Sequence, residues 1–291
     1  METKLYKLSG AGNDFIVLDG RSGGVDEYRK EVTIRTLCDR NTGFKAADGR
    51  VGADGVMILS SSVDGAWDFV MEYFNSDGSS GMMCGNGGRC IVAFADFMGI
   101  VPANGKFYEF LAADGPHTGE ILGRDGHSCT VKLKMKDVSE YRRCTDGWFL
   151  DTGTRHFVKF VEDVEALDIA TEGPRYRWSE EFAPIGANVN FVQALPDGSL
   201  KVRTFEKGVE DETLACGTGI TASALAAHLE ARHKDAGSNS PASSGTPASS
   251  GTPAKSIHTA VHARIDELAV DFTPSGSIFT DVFLTGPAAL I

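Results

Sequence analysis

This sequence predicts two pseudo-symmetric domains of α/β (α+β type) fold, each with mostly antiparallel strands around one central helix. Three observations carry the prediction. The chain is 291 residues long, beyond the length at which one hydrophobic core usually keeps growing. A Cys-Gly pair ahead of a small-residue helical stretch occurs twice, as MCGNGGRC (residues 83–90) before IVAFADFMG and as LACGTG before ITASALAAHL. Each pair follows two apolar runs that alternate with polar residues, so the order strand, strand, turn, Cys-Gly, helix appears once in each half.

The elements follow in order. KLYKLSGAGNDFIVLDG alternates around Gly-Ala-Gly-Asn and reads as two strands joined tightly. YRKEVTIRTLCDRN has helical spacing through Val32, Ile34, Leu37 and Cys38. DGVMILSSS and WDFVMEYFNSDGSS read as a hairpin leading into the Cys84 helix. FYEFLAADG, SCTVKLKMKDV and WFLDTGTRHFVKFV are further strand candidates. NVNFVQALPDGSLKVRTFEKGVEDE, turning at Pro196-Asp197-Gly198, is the second hairpin and leads into the Cys216 helix. We place the domains at 1–134, with 287–291 returning to the first, and at 135–286. Residues 236–256, with Pro-Ala-Ser-Ser-Gly-Thr twice over, carry little to bury and read as a flexible insertion.

Composition narrows the function. Lys and Arg number 28 against 40 Asp and Glu, a formal charge of −12, which argues against nucleic acid or an acidic membrane as partner. No apolar h-region opens the chain and no apolar run is of membrane length, so a cytoplasmic protein is expected. The six cysteines form neither a CxxC pair nor a zinc-like spacing, and reduced thiols with no metal are expected. His228 with His233, and His258 with His262, lack the context of a metal motif and are expected at surface or strand positions.

The chemistry is carried by the two Cys-Gly sites. A helix start leaves about four N–H groups without intrahelical partners and holds roughly half a positive charge. There a thiolate is favoured, an anion can be held, and glycines let it approach the backbone. Two such sites suit a ligand whose carboxylate is gripped by helix ends in a water-excluding cleft between the domains. One thiolate can remove a proton from a carbon while one thiol returns a proton to the opposite face, inverting the centre. A thiol protease or acyl-transfer site would use one Cys with a positioned His, for which His156 is the candidate, and leaves the second Cys-Gly unexplained. A redox pair would leave the glycines superfluous.

The ordered motifs GAGNDF, GADG, FNSDGSSGMMCGNGGRC, GANVNF and FEKGVEDETLACGTG resemble those of the diaminopimelate epimerase family, over nearly the whole chain. The resemblance implies a pyridoxal-independent epimerase of lysine and peptidoglycan precursor synthesis, interconverting LL- and meso-diaminopimelate with no cofactor, often as a homodimer. It makes Cys84 and Cys216 the acid/base thiols, and Gly85, Asn86, Gly217 and Thr218 the donors to the reacting carboxylate. Asn13, Asn75 and Asn188 become substrate-binding amides, Glu206 and Lys207 the pair that meets the substrate's amino and carboxylate groups, and His156 a supporting residue near the thiols. The sequence departs from the family at Lys207, more often Arg, at Thr154-Arg155, usually Asn-Pro, and at Gly55, a Gln in some members. The loop FKAADGR is longer, and the chain stops soon after TGPA, where a strand usually returns to the first domain. These departures bear on substrate identity, leaving room for another amino acid, such as histidine or a hydroxyproline, or for a non-catalytic or redox relative.

Overall fold

The computed structural model describes residues 3–81, 83–238 and 255–291, so most of the expected 236–256 insertion lies outside the described residues. The chain divides into two compact units, one of residues 1–134 and 285–291, the other of residues 135–284.

In the first unit β1 (Leu5–Gly10) and β2 (Asn13–Asp19) form the tight hairpin, turning through Ala11 and Gly12. Both turn residues have positive φ, 50° and 96°, the left-handed backbone that only glycine adopts without cost. After α1 (Glu31–Cys38), β3 (Gly55–Ser60) lies parallel to β2, and β4 (Phe69–Asn75) pairs antiparallel with β3. Next come α2 (Gly85–Phe97), then β5 (Tyr108–Ala112) parallel to β4, then the antiparallel β6 (Gly115–Asp125) and β7 (Ser128–Lys134). Val56 to Leu59 are all fully buried because β3 is covered on both faces. Ile16, Leu18, Val56 and Ile58 pack with Ile34 and Cys38 of α1, and the alternate residue Met57 reaches α2 at Gly87. α2 is buried continuously from Gly85 to Ala95, as befits the axis of a barrel rather than a surface helix.

The second unit repeats this plan. β8 (Tyr141–Arg143), β9 (Trp148–Asp151) and β10 (Arg155–Phe160) form an antiparallel meander, so WFLDTGTRHFVKFV is two strands that turn at Gly153. α3 (Ile169–Arg177) precedes β11 (Asn188–Ala194), which lies parallel to β10 and antiparallel to β12 (Leu200–Glu206). A short β13 (Asp211–Thr213) folds back on β12 and leads to α4 (Gly217–Ser238). Then follow β14 (Ile257–His262) parallel to β12, the antiparallel β15 (Glu267–Ser275), and β16 (Ile278–Leu290). A bridge between Val138 and Phe279 joins the two ends of the unit's strand order.

The pairing series antiparallel, parallel, antiparallel, parallel, antiparallel runs from β1 to β6 and again from β9 through β15. α3, which the sequence did not announce, thus occupies the place of α1. Its Gly173 and Pro174 disguise it, yet a Cβ at Gly173 would stand 2.4 Å from the Phe205 ring, so the close approach of helix to strand requires glycine. From Gly286, β16 pairs with β7, and at Ala289 and Leu290 with β1, which closes the first unit's barrel. A return strand beyond Thr285-Gly286-Pro287-Ala288 is thus supplied by β16 itself. Among the described residues no helix is long and apolar enough to cross a membrane.

Candidate active site

Cys84 caps α2. Its backbone is extended (φ −112°, ψ 157°) and its Sγ accepts a hydrogen bond from Gly87 N–H at 3.2 Å. Such a bond is stronger to a thiolate than to a thiol. Behind Cys84, hydrogen bonds fix the polar residues in a chain. Asn86 Nδ2 donates to Asn13 Oδ1 (2.7 Å), Asn13 Nδ2 donates to Asp54 (2.9 Å), and Arg89 donates to Asn86 Oδ1 (2.9 Å). Both amides are thereby oriented. Asn75 ends β4, where its side chain donates to Ser79 Oγ at 3.0 Å and its strand neighbour is Gly55.

Asp54 is held by charges that sequence reading missed. Arg40 pairs with both Asp54 and Asp14, and Asp14 also meets the buried Lys7 Nζ at 2.7 Å. Burial alone would raise the Asp14 carboxyl, but Arg40 and Lys7 outweigh it and hold the acid below its usual range. Nothing local marks these residues, since 40 positions separate Asp14 from Asp54 in sequence.

In the second unit Cys216 stands immediately before α4, with Thr218 in its first turn. Thr218 Oγ1 lies 3.4 Å from Cys216 Sγ, 2.9 Å from His156 Nε2 and 3.0 Å from Thr154 Oγ1, while Thr154 Oγ1 is 2.9 Å from His156 Nε2. Thr152 Oγ1 donates to the Thr218 carbonyl at 2.9 Å and pins the helix start to the β9–β10 turn. His156 is fully buried, and burial pushes its pKa down to about 3, so the imidazole is neutral. Asn190 Nδ2 meets its Nδ1 at 3.0 Å and also donates to the Phe157 carbonyl, while Thr204 donates to Asn190 Oδ1 at 3.0 Å.

The remaining expected residues of this unit sit at the ends of β11 and β12. Asn188 donates to the Arg155 carbonyl (3.0 Å) and accepts from Lys207 N–H (2.8 Å). Glu206 accepts from Thr213 Oγ1 at 2.9 Å, and Lys207 is exposed. Thus Asn13, Cys84, Gly85 and Asn86 come together at one helix start, and Thr218, Cys216 and His156 at the other. The place of Thr154, where the family's usual amide is lost, is filled by a hydroxyl that binds both His156 and Thr218. Asn190 and Thr204 were missed because polar residues in a strand normally read as its solvent face; here both are buried.

The glycines have a second purpose beyond admitting a ligand. A Cβ at Gly88 would stand 2.7 Å from Leu133, and one at Gly219 2.3 Å from Asn190 Oδ1. The other cysteines are poor nucleophiles. Burial pushes Cys38 up to about 11 and Cys90 and Cys144 up to about 12, and raises Cys129 as well. Of the paired histidines, His258 and His262 lie on β14 and meet Asp271 and Glu267 across the hairpin, and His233 is exposed on α4. His228 is no surface residue: it is half-buried with its ring edge-on to Phe272 and Phe279.

The diaminopimelate epimerase family model matches residues 5–132 and 148–252. The chain is 38% identical over 290 residues to a diaminopimelate epimerase of Flavobacterium psychrophilum, covering 99% of this chain and 98% of that protein. It is 44% identical over 226 residues to one of Chlorobaculum tepidum, covering 75% and 80% respectively. Among solved structures, a hydroxyproline epimerase from Agrobacterium vitis is similar with a TM-score of 0.59 at 17% identity, over 99% of this chain and 90% of that one. A PhzF-family phenazine biosynthesis protein of Bacillus anthracis is similar with a TM-score of 0.65 at 11% identity, over 100% and 98%. At these identities the structures speak to the fold.

Proposed function

Because this chain belongs to the diaminopimelate epimerase family, we propose that it interconverts LL- and meso-diaminopimelate by proton transfer between two cysteine sulfurs and one α-carbon. The observation that supports this reading best is the repeated placement of a half-buried thiol at the start of each unit's central helix. Both sulfurs would address the same carbon from opposite faces. One takes the Cα proton as thiolate, the C–H electron pair passes into the carboxylate as an enediolate-like carbanion, and the other thiol delivers its proton to the opposite face. Each turnover leaves the two sulfurs with exchanged roles.

The α-proton is only weakly acidic, so the carboxylate needs donors aimed at its developing charge. Gly85 and Asn86 at α2 and Gly217 and Thr218 at α4 stand where no carbonyl of their own helix reaches the first N–H groups. Asn13, Asn75, Asn188, Glu206 and Lys207 would hold the rest of the substrate. Lys207 keeps the charge of the family's Arg while giving up its planar fork, which makes a second amino-acid head group the expected distal partner. The product feeds lysine and peptidoglycan precursor synthesis.

The test is solvent exchange. The pure, reduced protein is incubated with LL-diaminopimelate in D2O without added pyridoxal phosphate, and deuterium should enter the α-carbon as meso product forms. Exchange confined to another amino acid, such as histidine or hydroxyproline, would retain the chemistry and overturn the substrate. No exchange with any amino acid would overturn both.

A further inference from the structure

We infer that the Thr218 hydroxyl is a catalytic group at Cys216, a rotor that donates its proton to the thiolate and accepts the S–H proton of the thiol. This rests on the acid/base assignment of Cys216 above. The Phe157 carbonyl can only accept, so the shared Asn190 nitrogen is the amide NH2. That nitrogen therefore donates to His156 Nδ1, and the single imidazole proton sits on Nε2. Nε2–H can only donate, toward the Thr154 and Thr218 oxygens, each 2.9 Å away. The Thr218 proton is thereby barred from the imidazole and, among the described side chains, has two destinations, Thr154 Oγ1 at 3.0 Å and Cys216 Sγ at 3.4 Å.

The charge on the sulfur decides between them. A hydrogen bond to an ionised acceptor is roughly twice as strong as one between neutral groups, so a thiolate draws the hydroxyl toward Sγ. When the sulfur is protonated, its S–H turns to Thr218 Oγ1 and the Thr218 proton swings to Thr154 Oγ1. A sulfur that must serve as base in one direction and acid in the other thus finds a matched partner in both states. No proton leaves the imidazole, which acts as a fixed donor. Thr154, where the sequence departs from the family's Asn, is the positioning residue that receives the rotor.

Charged groups on the adjoining elements include Asp151 on β9, Arg155 on β10, Glu206 and Lys207 at the end of β12, Asp211 and Glu212 on β13 and Arg264 beyond β14. Asp151 accepts from Gly153 N–H, Glu206 from Thr213, and Glu212 is paired with Arg203 and Arg264.

The experiment reads the sulfur directly and needs no substrate. The rate of iodoacetamide alkylation at Cys216 and at Cys84 is measured against pH by peptide mass spectrometry. Thr218→Val keeps the backbone N–H and the side-chain shape but removes the hydroxyl. It should raise the Cys216 alkylation midpoint by about one to two pH units, the equivalent of one hydrogen bond to a charged group, and leave the Cys84 midpoint in place. Thr218→Ser should restore it. Thr218→Ala removes the same hydroxyl in less volume and replaces the valine variant should that fail to fold. An unchanged Cys216 midpoint in the hydroxyl-less variant overturns the proposal, as does an equal shift at both cysteines. Alkylation reports whether or not the protein turns over diaminopimelate, so failure here is distinct from failure of the solvent-exchange test.

Discussion

Acidification from pH 7 to pH 5 should weaken the second unit through His156 in particular. In the unfolded chain a histidine takes up its proton near pH 6.5; in the fold burial holds His156 neutral down to about 3. Between these values the unfolded state binds the extra proton, so stability is full above pH 6.5 and falls as pH drops toward 3. At pH 5 the unfolded histidine is almost wholly charged and the folded one is not, and integrating from pH 7 gives a loss of about 2 kcal/mol from this group. The assay is urea unfolding at both pH values, followed by tryptophan emission in a Trp67→Phe background, where Trp148 and Trp178 of the second unit report. The wild-type loss should exceed that of His156→Gln by about 2 kcal/mol, since His228, also held down by burial, is common to both proteins. Carboxylates titrate mainly below this window. Equal losses to within about 0.5 kcal/mol would refute the claim that this imidazole is neutral because it is buried.

Three further outcomes are expected. Asn190→Leu should cost about 3 kcal/mol in the same unfolding assay, because it strands the His156 Nδ1 acceptor and the Thr204 hydroxyl in the interior. Thr204→Val should then add little in that background, and additive costs in the double variant would show the two side chains to be uncoupled. Iodoacetamide at pH 8 should label Cys84 and Cys216 at least tenfold faster than Cys38, Cys90 and Cys144, whose thiols burial keeps protonated; mass spectrometry of each peptide checks this. Asp54→Ala removes the acceptor of Asn13 Nδ2 and should raise the KM for diaminopimelate several-fold while moving kcat less, as steady-state kinetics will show.

The parts of this molecule that could be read from sequence are those whose cause is local. Alternation around Ala11-Gly12 and Pro196-Asp197-Gly198 is enough to announce hairpins, and a Cys-Gly pair ahead of small residues announces a helix start. α3 escaped because Gly173 and Pro174 are poor helix formers, and the reason for Gly173 lies on another element, in the Phe205 ring. The polar frames of the two thiols escaped for the same reason. Arg40 with Asp14, and Asn190 with His156, are bonds across 26 and 34 positions, and no period or spacing encodes them. Thr154 looked like a lost amide; the fold puts its hydroxyl within reach of two partners.

The passage of β16 from one unit into the other has a consequence for how the protein is made. The first unit consists of residues 1–134 together with 285–291, and its barrel closes only when the last residues of β16 seat on β1 and β7. On the ribosome these seven residues emerge after the whole of the second unit, so the segment of residues 1–134 is synthesised first and completed second. Until they emerge its β1 and β7 edges stand open, each able to recruit a strand from a neighbouring nascent chain. The second unit, uninterrupted in sequence, has every strand of its own in hand before that moment. The unit whose synthesis begins first is therefore the last to have all its described strands.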